Sequence, residues 1–266
     1  MSLKSIHKAV ELLRLLAVPP HEVSVAQAAR AAGMTTSTAS RILAALRAGD
    51  LVDQDPLSRR YRPGVLALQL ASGFQRGFDI LDRVQQTMAE LVQVTRHTAW
   101  VGILAGNDVV VLKTLQGAYP VRFGVEPGRR LPAHAAAMGK ALLALKGDEE
   151  IRRMCAEGLL ETPAHARTPR TIATPAALLA ELALIRRRGY AESNQELFEG
   201  IKAVATAFAG PHGESPVALS ISYPMVSVAE SGDAAIIATL LEHARRIGQR
   251  IGDPRWLAKA GAGQPA

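Results

Sequence analysis

The amino-terminal part of the chain contains three stretches in which apolar residues recur every three or four positions. This spacing predicts three helices, and the first is expected to end before Pro19 and Pro20. The second and third helices are short and are joined by a turn at Gly33. Two short helices around a glycine-containing turn form the helix-turn-helix pattern, which is typical of DNA-binding proteins. The apolar positions are Ile6, Ala9, Val10, Leu13 and Leu16 in the first helix, Val25, Ala28 and Ala29 in the second, and Ile42, Leu43 and Leu46 in the third.

The opposite side of the third helix offers small hydroxyl groups and one guanidinium. The residues in question are Thr35, Thr36, Ser37, Thr38, Ala39, Ser40 and Arg41. Short residues and free N–H groups at a helix start suit a DNA phosphate, and an Arg pairs well with guanine edges. At least one hydroxyl is expected to cap the helix instead. We expect Thr36, Thr38, Ala39 and Arg41 to contact the groove, although Arg41 is equally suited to a phosphate.

A strand, a turn and a basic returning strand follow between Gly49 and Arg62, which extends the pattern to a winged helix-turn-helix. The returning segment carries Arg59, Arg60 and Arg62. Residues 1–63 hold nine Lys or Arg against five Asp or Glu, in a chain of net charge +7. This excess favours a partner that carries phosphates, and the motif makes that partner double-stranded DNA.

Beyond residue 63 the pattern predicts a connector helix and then an α+β domain. The apolar stripe of residues 64–84 either packs against its own chain or forms a dimer seam. Residues 99–105 and 109–114 predict a hairpin around Gly106-Asn107-Asp108. The other predicted strands are 121–125, 191–193, 201–207 and 217–222, and the other helices are 85–94, 132–145, 151–157, 175–188 and 233–251. These elements predict a mostly antiparallel sheet within residues 85–256, followed by a disordered tail over 257–266.

Composition and spacing exclude several classes of function. The chain has 266 residues, 48% hydrophobic and 21% charged, with no run of 18 apolar residues, so we expect two soluble cytoplasmic domains and no membrane contact. Cys155 is the only cysteine and the seven histidines are scattered, so neither a disulfide nor a metal site is expected. Gly139-Lys140-Ala141 lacks the spacing of a phosphate loop, and no nucleophile elbow occurs. No cofactor and no catalytic residue are therefore predicted.

Four motifs, in order along almost the whole chain, resemble the IclR family of bacterial transcriptional regulators. The first is Ser37-Thr38-Ala39-Ser40-Arg41-Ile42-Leu43 with Leu46, Gly49 and Leu51-Val52; the second is Tyr61-Arg62-Pro63-Gly64. The third is Pro132-Ala133-His134 with residues 138–144; the fourth is Ile185-Arg186, Gly189-Tyr190-Ala191, Glu196, Gly200-Ile201, Ala203 and residues 219–222. Pro63 departs from the family, which usually has Leu there.

The resemblance implies a GAF-like effector-binding domain, in which an antiparallel sheet cups a small carboxylated or aromatic metabolite. It also implies a homodimer or homotetramer on a palindromic operator. By the same resemblance, the N–H groups of Ala137 and Met138 meet the acidic group of the effector. The remaining pocket positions that it implies are Ser193, Ala203, Ser220 and Ser222. Some relatives carry Asp and Cys in place of Ser193 and Ala203, so the identity of the effector does not transfer.

The sequence therefore predicts a ligand-responsive DNA-binding regulator, more often a repressor than an activator in such a family. One alternative is an enzyme or sensor whose winged domain serves protein contacts, and this alternative predicts turnover of a bound acid. Another is a scaffolding dimer with a vestigial pocket, whose DNA binding would ignore every metabolite. The pocket motifs lack an activated nucleophile or a paired acid and base, which argues against turnover.

Overall fold

The computed structural model describes residues 3–76, 79–120, 124–161, 168–210, 215–229 and 232–261. The chain divides into two compact units, Met1–Gly77 and Phe78–Ala266. This division falls inside the segment predicted as one connector helix, earlier than the predicted boundary after residue 84. The reason is burial: Val84, Met88 and Leu91 are at most 1% exposed and belong to the core of the second unit.

The first unit is a winged helix-turn-helix, as the sequence predicts. Its elements are α1 (Leu3–Leu16), α2 (Val25–Ala31), α3 (Thr36–Ala48), β1 (Val52–Gln54), β2 (Tyr61–Pro63) and α4 (Val65–Arg76). Ser24 caps α2 in a reciprocal arrangement with Gln27, and the turn to α3 passes through Gly33 at φ +56°. A small core formed by α1, α2, α3 and the wing, with Leu12, Ala28, and Leu43 fully buried, fixes the orientation of α3.

The second unit contains a six-stranded sheet in which every pairing is antiparallel. Its elements are α5 (Asp79–Thr95), β3 (Thr98–Ala105), β4 (Asp108–Leu115), β5 (Arg130–Pro132), α6 (Ala137–Leu143), α7 (Asp148–Ala156), α8 (Pro175–Arg188), β6 (Ala191–Asn194), β7 (Ile201–Phe208), β8 (Val217–Pro224), a 3₁₀ turn Met225–Val228, α9 (Ala234–Ile251) and α10 (Pro254–Gly261). The strand order is β5-β4-β3-β8-β7-β6. The predicted α+β class with an antiparallel sheet is confirmed.

Helices cover both faces of this sheet. One face packs against α6, α7 and α8, and the other packs against α5, α9 and α10. Alternation along β3 shows the division, because Trp100 joins the first core while Ala99 and Val101 join the second. The sheet is therefore the middle of three layers.

Three local predictions differ from the structure. The helix expected over residues 132–145 begins only at Ala137, after the short strand β5, which the pattern did not indicate. Of the strand expected over 121–125, residues 121–123 lie outside the described residues, and the two that follow are not in a strand. The tail expected from residue 257 is helical as far as Gly261, and residues 262–266 lie outside the described part of the chain.

Helix α10 is attached to the core rather than free. Asp253, which precedes it, has no exposed surface, and its carboxylate accepts the backbone N–H of Ala209 at 2.9 Å. Trp256 is 5% exposed and lies with its ring centroid 6.1 Å from that of Phe208. Among the described helices, none is long and apolar enough to cross a membrane.

Candidate functional site

The start of α3 is fixed by a pair of threonines. Thr35 occupies the N-cap position, and its hydroxyl accepts the backbone N–H of Thr38 at 3.2 Å. The two hydroxyl oxygens also lie 2.9 Å apart. The capping role expected of one hydroxyl in this segment therefore belongs to Thr35.

The exposed side of α3 contains most of the residues predicted to contact DNA. Thr36, Ser37, Ser40 and Arg41 are exposed, and Thr38 is half-buried. Ala39 differs: it is 0% exposed and packs in the core of the unit. The predicted groove contact of Ala39 is therefore wrong, because its methyl group points at the apolar face of α3 rather than the polar one.

The wing is a hairpin whose turn is fixed by Asp55. One carboxylate oxygen of Asp55 accepts the backbone N–H groups of Leu57 and Ser58 at 3.0 and 2.7 Å. These bonds hold the pKa of Asp55 below its usual range. The backbone of Tyr61 also pairs with that of Val23, before α2, in an isolated antiparallel bridge. The wing and the helix-turn-helix thus form one hydrogen-bonded body.

The three wing arginines have different surroundings. Arg62 donates to Asp53 at 3.0 Å, and this contact lowers the pKa of Asp53. Arg60 lies with Nε 2.8 Å from a carboxylate oxygen of Glu22, and it donates a hydrogen bond to Gln27 at 2.9 Å. Arg59, at φ +58°, is exposed and has no ion-pair partner among the residues that the structure describes. Of the three, Arg59 is the cation most available to a phosphate.

The second unit holds a cavity between its sheet and the start of α6, which we call the sheet cavity. The floor of the cavity is formed by paired residues of the sheet. Ser193, Ala203 and Ser222 lie opposite one another across β6, β7 and β8. A second row pairs Ser220 with Trp100 across β8 and β3. Paired residues in antiparallel strands share a face, so all five side chains belong to the same side of the sheet.

Apolar residues complete the wall of the sheet cavity. They come from β5, from the start of α6, and from the β6–β7 connection with the start of β7, and they are Leu131, Ala136, Ala137, Met138, Leu197, Phe198 and Ile201. All six residues predicted for the effector pocket thus line one cavity. The sequence missed Trp100, Leu131, Leu197 and Phe198, because an apolar residue that lines a cavity has the same pattern as one that fills a core.

The sheet cavity is small, with a volume of about 40 Å³, and it opens to solvent at one side. Ser220 donates its hydroxyl to the carbonyl of Val204 at 2.9 Å. Ser222 is 8% exposed, and its Oγ has no hydrogen-bond partner among the described residues. An unpaired buried hydroxyl beside apolar walls is suited to orient a small ligand.

The two units together define a class of protein. A winged helix-turn-helix with an exposed polar face, followed by an α+β unit with a small internal cavity, is the architecture of ligand-responsive transcriptional regulators.

Comparison with known proteins specifies the family. Residues 5–56 match the IclR helix-turn-helix domain, and residues 75–249 match the C-terminal domain of the bacterial transcriptional regulator IclR. The HTH-type transcriptional regulator BhcR of Paracoccus denitrificans is 30% identical over 245 residues, which cover 92% of this chain and 86% of BhcR. The chain belongs to the IclR family of bacterial transcriptional regulators, which is a family of DNA-binding regulators and not of enzymes.

Solved structures agree with this fold. The IclR transcriptional regulator from Alicyclobacillus acidocaldarius is 27% identical and superposes with a TM-score of 0.74, covering 94% of this chain and 99% of that one. An IclR homologue from Microbacterium hydrocarbonoxydans, solved with 4-hydroxybenzoate, superposes with a TM-score of 0.78 at 22% identity, covering 93% and 98%. The order of the elements is therefore that of whole IclR-family chains.

Proposed function

We propose that the protein is a repressor that binds a palindromic operator as a homodimer and responds to a small organic acid in the sheet cavity. DNA binding belongs to the amino-terminal unit, and effector sensing to the carboxy-terminal unit. The sheet cavity is the observation that carries the effector part of the proposal, because it joins a mostly apolar wall to the buried Ser222 hydroxyl, which is unpaired among the described residues.

On DNA, α3 of each subunit lies in a major groove, with the half-sites about one helical turn or a multiple of it apart. Arg41 reads a base edge from the exposed side of α3, and Arg59 approaches a phosphate from the wing. Thr36, Ser37 and Ser40 are small enough to let the backbone of α3 approach the groove closely.

Exposed apolar residues of α4 support the dimer. Val65, Leu68, Leu70 and Phe74 are each at least half exposed in the single chain, the first two on one side of the helix and the last two on the other. Exposed apolar side chains concentrated on one helix favour an interaction site. This favours a dimer seam over packing against the same chain, and pairing of such dimers gives a tetramer. Sedimentation of Leu68→Glu should show dissociated subunits, while a persistent dimer would assign the seam to another surface.

The walls of the sheet cavity limit the chemistry of the effector. Trp100 and Phe198 offer aromatic surface to a ring or short hydrocarbon chain, and Ser222 offers a hydroxyl that can donate to a carboxylate. The backbone N–H groups of Ala137 and Met138, in the first turn of α6, supplement this donor. The 4-hydroxybenzoate held by the Microbacterium homologue belongs to the same chemical class.

A mobility-shift assay on the intergenic DNA next to the gene tests the proposal. We expect retention of the duplex at low salt, and a change in affinity of five- to roughly a hundredfold with one acid from a panel that includes 4-hydroxybenzoate. Ser222→Ala should weaken that response and leave DNA binding unchanged, because the hydroxyl has no hydrogen-bond partner to lose among the residues that the structure describes. Turnover of a bound acid without retained DNA would favour an enzyme, and DNA binding indifferent to every acid would favour a scaffold.

A further inference from the structure

The second unit buries an ion pair that neither the apolar core nor the DNA-binding face explains. Lys140, in α6, is 1% exposed, and its Nζ lies 2.7 Å from Oε1 of Glu196. Glu196 is 7% exposed and also accepts the backbone N–H of Asn194 at 3.3 Å. Lysine and glutamate are rarely buried to this extent, since both charges lose their hydration.

The two members of the pair belong to two segments whose other residues form different parts of the wall of the sheet cavity. Lys140 is on α6, whose first residues, Ala137 and Met138, line that cavity. Glu196 is in the segment of residues 195–200, which connects β6 to β7 and contributes Leu197 and Phe198 to the same wall. The ion pair is thus a direct link between two cavity walls that are far apart in the sequence.

Segment 195–200 is held by its apolar side chains, since Leu197 and Phe198 pack against the core on the α6 face of the sheet, and by hydrogen bonds near its ends. The backbone N–H of Gln195 donates to Ile201, and the Gln195 side chain accepts the N–H of Gly200 at 3.0 Å, which closes the segment on itself. The hydroxyls of Thr168 and Thr171 donate to the carbonyls of Gln195 and Glu196 at 2.7 and 2.6 Å. Glu196 adds a direct side-chain hydrogen bond from this segment to α6.

The pair is poorly explained as a source of stability alone. Oε2 of Glu196 is buried without a hydrogen-bond partner among the described residues, and burial raises the pKa of its carboxyl despite Lys140. Apolar residues of similar volume often replace a buried ion pair without loss of stability, whereas charges fix one geometry. A defined distance between α6 and segment 195–200 is the property that such a pair supplies.

We propose that the Lys140–Glu196 ion pair is a positioning element that holds the walls of the sheet cavity together and so sets the affinity of the effector. Only the statement about effector affinity rests on the proposed function. The closure of the sheet cavity itself can be measured without effector or DNA.

Trp100 fluorescence reports on the closure of the sheet cavity, because Trp100 lines it and the only other tryptophan, Trp256, lies in the core on the opposite face of the sheet.

The parent for the experiment is the full chain with Trp256→Phe. Acrylamide quenching of Trp100 fluorescence is compared in this parent, in Lys140→Met/Glu196→Met, and in the control Lys146→Met/Glu150→Met. The control removes a more exposed ion pair of the same composition, 2.5 Å long. Glu181, whose carboxylate also lies 3.8 Å from Nζ of Lys140, keeps its contact with Arg188 at 2.9 Å in every variant.

We expect the Lys140/Glu196 variant to melt close to the parent and yet to show a higher quenching constant, while the control does not change. A titration with 4-hydroxybenzoate, read from the same tryptophan, should show binding weakened by about tenfold in this variant. Unchanged quenching, or an equal rise in the control, overturns the proposal. Glu196→Gln is the second variant, and if neither variant folds, the pair is required for folding and the proposal is also overturned. Should no acid bind the parent, the effector function fails while the quenching result still decides the role of the pair.

Discussion

Arg41 of α3 and Lys140 of α6 are both cations on helices, and the two units place them in opposite surroundings. Arg41 is exposed on a helix that buries only Ala39 and Leu43. Lys140 is enclosed in a helix whose seven residues are all buried, and Glu196 neutralises it. The first unit keeps its polar groups where a large polyanion can reach them. The second buries this cation and pairs it with a carboxylate of its own. Substitutions should therefore change DNA binding in α3 and folding or ligand response in α6.

The largest expected effect is the loss of stability when a methyl group is added to α6 at Gly139. A Cβ at Gly139 would lie 2.3 Å from the carbonyl oxygen of Ala133 and 2.4 Å from its Cα, and this backbone cannot yield. We expect Gly139→Ala to destabilise the second unit by about 3 kcal/mol. The matched change Gly49→Ala, at the end of α3, meets nothing closer than 3.8 Å and should cost less than about 0.5 kcal/mol. Urea unfolding followed by circular dichroism measures both, and similar losses would remove the contrast between the two helices.

The next largest effect is the contribution of Arg41 to operator affinity. Arg41→Ala should weaken operator binding by about 1–3 kcal/mol and relax discrimination at one base pair, with little change in stability. Arg47→Ala is the control, because it removes the same charge from the far end of α3, where Arg47 donates to Gln54. Fluorescence anisotropy on operator and mutated duplexes gives the comparison. A uniform loss on all sequences would show that Arg41 holds a phosphate instead.

A smaller effect should separate two neighbours on the wing. Because Arg59 has no ion-pair partner within the described part of the chain, we expect Arg59→Ala to reduce the slope of log affinity against log salt by about one. Arg60→Ala should change this slope less, since Arg60 already contacts Glu22 and Gln27. Titrations at several salt concentrations measure the slopes. A larger change for Arg60 than for Arg59 would mean that the wing rearranges on DNA.

The smallest effect concerns pH. His97 is 7% exposed between the rings of Tyr119 and Tyr223, and burial lowers its pKa below the ordinary 6.5. The unfolded chain therefore takes up a proton at His97 before the folded protein does, so stability falls as pH decreases through 6.5. Between pH 7.5 and 6 this loss is at most about 0.8 kcal/mol. Urea unfolding at both values should show it in the parent and a reduced loss in His97→Phe. The same pH dependence in both proteins would assign it to another group.

The sequence was most informative where periodicity and turn residues coincide. The helix-turn-helix, the β3–β4 hairpin around Gly106, and α8 between its Thr174 cap and Gly189 all agree with their patterns. Helix α6 was harder, because a helix buried on every side has no amphipathic stripe to mark its ends. A three-residue strand such as β5 is too short for an alternating pattern to be visible.

The candidate site was predictable to a different extent in each unit. The hydroxyls and Arg41 of α3 followed from one helical face, and only Ala39 was assigned to the wrong side. The six residues predicted for the sheet cavity came from family resemblance and do lie around one cavity. The link between Lys140 and Glu196 depends on a contact across 56 positions of sequence, which no local pattern can reveal.

The attachment of α10 affects how the sensing unit can be produced by itself. The match to the C-terminal domain of the family ends at residue 249. A polypeptide cut there would lose the Asp253 carboxylate that accepts the backbone N–H of Ala209 and the Trp256 indole that packs against Gly248 and Phe208. Such a fragment would expose apolar surface and be prone to aggregate. A soluble fragment, or a fusion to a fluorescent partner, should therefore keep the chain intact through Gly261.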